Sequence, residues 1–194
     1  MTSFQHQKAY IVSRISPRTT PLKNDATLIV RNPSPQDAHS FVQIMRDVAS
    51  EGQYTMAEPD EVSWTDNSKR EDIKEHLEEL GDLALVAEVS GKVVGFIEFE
   101  NGRRRRTIHS GMFSIFIQRG YREIGIGSAL ITCLLDWATQ HSFIEKVTLA
   151  VFASNERAIA VYEKLGFLIE GRCPRDMKFG TEYVDSILMY KFVK

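Results

Sequence analysis

The stretch Ile115-Phe-Ile-Gln-Arg-Gly-Tyr-Arg-Glu-Ile-Gly-Ile-Gly-Ser-Ala-Leu130 constrains the fold more than any other part of the chain. A β-prone run ends, a loop follows, and a helix is predicted from about Gly125 to His141. Its apolar stripe is Leu130, Leu134, Trp137 and Ala138, with Thr132, Asp136, Thr139 and Gln140 opposite. Gly125 and Gly127 let the backbone approach a ligand closely, and the first N–H groups of a helix point outward without partners. With the helix dipole and Arg122 nearby, the pattern Arg122-x-x-Gly125-x-Gly127 suits phosphate oxygens. It is no P-loop, because no Gly-Lys-Ser/Thr follows, and it lacks the third glycine of a dinucleotide fingerprint. The same glycines also suit close packing of helix on strand, so the segment alone leaves both readings open.

The rest of the chain supplies a sheet for that unit. A short β-prone run, Ala26–Arg31, is stopped by Asn32-Pro-Ser-Pro35, which opens a helix carrying Ala38, Phe41, Val42, Met45 and Val48 at helical spacing. Ser68-Lys-Arg-Glu71 reads as the capping box of a charged helix ending at Gly81. Leu83–Val89 and Lys92–Glu100 form a hairpin about Ser90-Gly91. Strands are further expected at about 109–117, 146–151, 167–173 and 183–192, with a helix over Ser154–Leu165. The order is β-α-α-β-β-β-α-β-α-β-β. At 194 residues the chain fits one α/β (α+β) domain, expected over 26–194 behind an extended arm, 1–25.

A second segment decides between the readings of the first. Asn155-Glu-Arg-Ala-Ile-Ala-Val-Tyr-Glu-Lys-Leu-Gly-Phe167 follows a predicted strand, with Ser154 as N-cap candidate and Gly166 as C-cap. Arg122-x-x-Gly125-x-Gly127 resembles the acetyl-CoA signature of the GCN5-related N-acetyltransferase (GNAT) superfamily. Asn155–Phe167 resembles that family's second motif, and the element order agrees from about Ala26 to Lys194. The resemblance implies a mixed, mostly antiparallel sheet flanked by helices, with two parallel strands, Ser110–Ile117 and Lys146–Val151, splayed to hold acetyl-CoA. The pantetheine arm is then expected against the main chain of Ile115, Phe116 and Ile117. The pyrophosphate is expected on the backbone of Arg122, Glu123, Ile124, Gly125, Ile126 and Gly127, and Asn155 on the pantetheine side. Tyr162 is expected to protonate the departing CoA thiolate; a half-buried structural tyrosine is the competing reading.

The implied reaction is acetyl transfer to a primary amine by direct attack in a ternary complex. A backbone N–H near Ile115–Ile117 would polarise the thioester carbonyl. Some family members place a glutamate base on the strand before the second motif; here that position is Ala150. Glu98 or Glu100 can substitute through water, although strand carboxylates also simply face solvent, and His109 has suitable chemistry. A CoA-binding regulatory or scaffold protein without turnover is the alternative function. Glu123 stands where many relatives have glycine, and needs solvent or a partner in Arg119 or Arg122. Arg103–Arg106 reads as a solvated turn, one of whose arginines could reach the 3′-phosphate of CoA.

The formal charge of −2 gives no footprint for nucleic acid or an anionic membrane, and no apolar run approaches the ~20 residues of a span. Cys133 and Cys173 lack metal-ligand spacing, so no metal is expected; Cys133 reads as core and a reduced, cytoplasmic home is expected. The acceptor is expected to be a small-molecule or peptide amine. Glu51–Thr65 holds Glu51, Glu58, Asp60 and Glu61 beside Tyr54 and Trp64, with no lysine or arginine in the loop, and is expected to gate a cationic acceptor. Family members often dimerise, so a homodimer is compatible with the resemblance, with the oligomeric state left open.

Overall fold

The computed structural model describes residues 13–194, and the first twelve residues of the expected arm lie outside that range. The sheet begins within the arm segment. Strand β1 (Arg18–Pro21) pairs antiparallel with β2 (Thr27–Arg31), Arg18 opposite Val30. Helix α1 (Ala38–Ser50) follows a single 3-10 turn opened by Pro35, and buries Ala38, Phe41, Val42, Met45 and Val48 as their spacing predicts. Helix α2 (Asp66–Glu78) starts one turn earlier than expected. Thr65 is its N-cap, accepting from the Ser68 N–H at 3.1 Å, while the Ser68 hydroxyl oxygen accepts from the Thr65 N–H at 3.0 Å. Ser68 therefore occupies the third position of the box rather than opening it.

Strands β3 (Leu83–Val89) and β4 (Lys92–Asn101) form the expected hairpin, and β5 (Ser110–Ile117) continues it antiparallel. Helix α3 (Ile126–Gln140), β6 (Lys146–Phe152), α4 (Glu156–Lys164), β7 (Leu168–Phe179) and β8 (Glu182–Phe192) complete the chain. The sheet order is β1-β2-β3-β4-β5-β6-β8-β7, and among these pairs only β5–β6 is parallel.

Alternation along the strands divides the core between the two faces. One face carries Leu83, Leu85, Ile97, Phe99, Phe113, Val147 and Leu149 against α3 and α4 residues such as Leu130, Leu134, Trp137 and Tyr162. The other carries Val86, Val93 and Phe96 against Phe41, Met45 and Val48 of α1 and Ile73 of α2. Phe41 stacks on Phe96 with ring centroids 4.2 Å apart. Beyond this second core, toward β6, the sheet face lies open. Cys133 is buried, in agreement with its reading as a core residue.

Gly111 fixes how closely β4, β5 and β6 come together. It pairs with Asn101 on one side and Val147 on the other. A Cβ there would stand 2.3 Å from the Phe99 ring and 2.5 Å from the Glu100 carbonyl oxygen, so backbone itself blocks it. Gly111→Ala is expected to lower stability by about 1–3 kcal/mol, the usual cost of overpacking. Urea unfolding of the variant beside wild type checks this; an unchanged midpoint would count against the packing described.

Candidate active site

The parallel pair is joined only at its start. Ser110, Gly111 and Met112 pair with Lys146, Val147 and Thr148, and there the ladder stops. β5 continues to Ile117 bound to β4, and β6 continues to Phe152 bound to β8. The two strands part as a V with its apex near Met112 and Thr148. Thr148 braces that apex, its hydroxyl donating to the Gly111 carbonyl at 2.9 Å. Ile115, Phe116 and Ile117 lie on one arm of the V, and the Ile117 carbonyl already accepts from Arg122 Nε at 2.8 Å.

The wide end of the V meets the loop before α3. Glu123 sits at φ +70° and Gly125 at φ +109°, and Gly125 is the N-cap of α3. The first bond into that helix is Ala129 N–H to the Gly125 carbonyl. Ile126, Gly127 and Ser128 thus present N–H groups with no carbonyl four residues back, at the positive end of the dipole. A Cβ on Gly125 would find only Leu22 Cδ2, at 3.9 Å, so the ground before the helix is open to a ligand. These residues fit a pyrophosphate.

The charged neighbours are arranged differently from expectation. Arg122 grips Glu51 with both Nη atoms at 2.7 Å. Its guanidinium is thus committed to protein, and its backbone N–H is what it has for a phosphate. Glu51 is also not an uncompensated acid of the α1–α2 loop. Glu123 pairs with Arg157 of α4 at 2.6 Å rather than with Arg119 or Arg122. Both side chains are exposed, so the pair contributes little to stability but answers the repulsion of a carboxylate beside phosphate. Asn155, not Ser154, caps α4: its Oδ1 accepts from the Ala158 N–H at 3.2 Å, leaving Nδ2 to donate.

Tyr162 is buried between Phe113 and Phe167, with centroids 6.0 and 6.1 Å away. Burial pushes its hydroxyl up to about 12, so it keeps its proton throughout the neutral range.

Over the apex, on the face shared with α1 and α2, lies a groove of about 600 Å³. Glu98, Glu100, Met112, Ser114 and Thr148 line one end, and Arg106 and His109 the other. Glu98 is opposite Ser114 across the β4–β5 ladder, two residues from the parting of the strands. Its Oε1 accepts from Lys69 Nζ at 2.7 Å. Sequence reasoning missed Lys69, reading α2 as a charged helix with only its apolar residues turned inward. The available signal was its spacing four residues before Ile73 on the inward face.

The Arg103–Arg106 turn sits at the amino end of β5, opposite the α3 loop. About 26 Å of strand separates them, so none of these arginines reaches a phosphate there. Arg103 is held by Asp82 at 2.7 Å, which raises its pKa further. The Glu51–Thr65 loop runs from Arg122 across to β6, where the Tyr54 ring lies 6.3 Å from Phe152, itself 5.6 Å from Phe179. It returns to α2 with Trp64 over Lys69 at 4.4 Å. Among the described residues no cluster of His, Cys, Asp or Glu suits a metal, and no helix is long and apolar enough to cross a membrane.

The model of the acetyltransferase (GNAT) family matches residues 46–167, the span from α1 through both glycine-bearing motifs. This chain belongs to the GNAT family. It is similar to L-amino acid N-acetyltransferase AaaT of Escherichia coli (strain K12), 33% identical over 109 residues, which are 56% of this chain and 67% of that protein. It is 38% identical over 101 residues to an N-alpha-acetyltransferase of Sulfurisphaera tokodaii, covering 48% of this chain and 60% of that one. A GNAT acetyltransferase structure from Streptococcus pneumoniae superposes with a TM-score of 0.81 at 27% identity, over 86% of this chain and 99% of that one. Acetyl transfer from acetyl-CoA is accordingly the chemistry of this GNAT enzyme.

Proposed function

We propose that this GNAT enzyme transfers the acetyl group to a primary amine by direct attack within a ternary complex. The observation that carries the reading is the V between β5 and β6, whose apex lies beneath a groove containing a carboxylate. The donor's pantetheine lies along Ile115–Ile117 and its pyrophosphate on the N–H groups from Arg122 to Gly127. Asn155 Nδ2 contributes from the facing helix. The acceptor enters the groove from the α1–α2 side. Glu98 takes its proton through water, the neutral amine attacks the thioester carbon, and a β5 N–H steadies the developing oxyanion. Tyr162, kept protonated by burial, gives its proton to the departing thiolate.

The acceptor is a small amine, an amino acid, an antibiotic or a protein N-terminus. Relatives named for L-amino acid and N-alpha acetylation support that range without choosing within it. The test is thiol release from acetyl-CoA across a panel of amino acids, polyamines and peptides. Turnover is expected with at least one class; CoA binding without transfer to any amine would favour a regulatory protein instead. In that assay Tyr162→Phe is expected to lower kcat up to about 100-fold, the low end for an acid–base group, because solvent can also protonate a thiolate. The Michaelis constant for acetyl-CoA should hardly move. Full turnover in the variant would return Tyr162 to a packing role.

A further inference from the structure

Helix α2 is charged along most of its length, and its buried residues are Lys69, Ile73 and His76. A lysine only 2% exposed needs a reason. Its ammonium lies 2.7 Å from Glu98 Oε1 and 2.6 Å from Asp72 Oδ2. The rings of Trp64 and Phe41 stand 4.4 and 4.9 Å from it, on the π faces that attract a cation. Stability alone does not explain the arrangement, because well-packed apolar side chains commonly replace a buried ion pair at no loss. Methionine has the length and flexibility to fill the same space between Phe41 and Trp64.

The distinctive feature is the partner. Glu98 lines the groove beside the apex of the V, and one of its two oxygens is fixed by Lys69. Its Oε2 has no hydrogen-bond partner among the described residues. Asp72, half exposed, in turn anchors the ammonium from the solvent side. We propose that Lys69 is a positioning residue for proton removal: it holds Glu98 in one rotamer with Oε2 free to accept the acceptor's proton. This inference rests on the reading of Glu98 as base.

Lys69 also tempers the attraction of Glu98 for a cationic acceptor. An unpaired carboxylate there would hold an incoming ammonium tightly in the ground state, which favours binding without favouring reaction. A variant lacking the ammonium should therefore lose turnover without losing apparent affinity for the amine. A loosened α2 would do the reverse, because a disordered groove wall weakens amine binding.

The experiment compares wild type, Lys69→Met, Lys69→Gln, Glu98→Gln and the Lys69→Met/Glu98→Gln double variant. The acceptor is whichever of L-phenylalanine, spermidine and an alanyl peptide wild type turns over fastest. Thermal melts with and without CoA accompany the kinetics. Lys69→Met is expected to lower kcat 10- to 100-fold, with the amine KM unchanged or lower and the acetyl-CoA KM unchanged. The double variant should be no slower than Glu98→Gln alone. Should Lys69→Met leave too much charge unpaired to fold, Lys69→Gln, which keeps a donor for Oε1, should show the same pattern more weakly. Wild-type kcat in the folded lysine variants beside a slow Glu98→Gln overturns the inference while sparing the base. So does a raised amine KM at unchanged kcat, or losses that multiply in the double variant. Wild-type turnover in Glu98→Gln removes the base itself, and the inference with it.

Discussion

Gly125→Asp is expected to abolish the rise in melting temperature that CoA gives the wild-type protein. A ligand present at 100 times its dissociation constant adds about 2.7 kcal/mol to the stability of the folded state. At about 2–4 °C per kcal/mol for a domain of this size, the lost shift is easily measured. The site can receive the side chain, since only Leu22 Cδ2, at 3.9 Å, stands within reach of a Cβ. The carboxylate, however, lies where Ile126, Gly127 and Ser128 present their N–H groups, so it occupies the ground of the phosphate and repels what remains of it. Part of the cost is backbone strain, because φ +109° suits glycine alone. Gly125→Ala separates the two causes: it carries the strain without the charge and should keep much of the CoA response. A full CoA shift in the aspartate variant would remove the pyrophosphate from this loop.

Glu98→Gln should lower kcat about 10²- to 10⁴-fold, the span usual for a group that moves a proton in the transition state. The change is nearly isosteric, and the amide carbonyl can still accept from Lys69, so α2 should stay seated. On the proposed reading acetyl-CoA lies along the V rather than in the groove that Glu98 lines, so its KM should be unaffected. Glu100, at the next outward-facing position of β4 and opposite Met112, serves as the comparison. If Glu100→Gln rather than Glu98→Gln proves slow, the base lies one pleat back along β4, level with the apex itself.

The fold was legible because its local signals agree with its global arrangement. The α1 and α3 stripes, the Ser90-Gly91 hairpin and the glycine-opened α3 all name their own partners by periodicity and turn chemistry. Boundaries failed where two residues could perform one job. Thr65 took the cap assigned to Ser68, and Asn155 took the cap assigned to Ser154. β1 was hidden because a four-residue edge strand needs little pattern of its own when its neighbour supplies the register. The site was less legible because its charges pair across long sequence separations. Arg122 with Glu51, Arg157 with Glu123 and Lys69 with Glu98 are each set by the fold, and no local spacing foretells them.

The Arg122–Glu51 fork has a consequence for how the two substrates sense each other. It fastens the loop that begins α3 to the segment that leaves α1, and that segment continues through Tyr54 to the far arm of the V. The proposed donor and acceptor mouths are therefore framed by one strapped length of chain rather than by two independent loops. If donor binding tightens its own loop, this link gives that change a path to the acceptor's wall, and thermodynamic reciprocity then requires the same coupling in the other direction. A bidentate guanidinium–carboxylate clasp fixes its geometry more firmly than a single exposed ion pair does. On the proposed reading, an arginine within the donor motif thus joins the walls of both ligand sites, and each ligand is expected to tighten the other's binding.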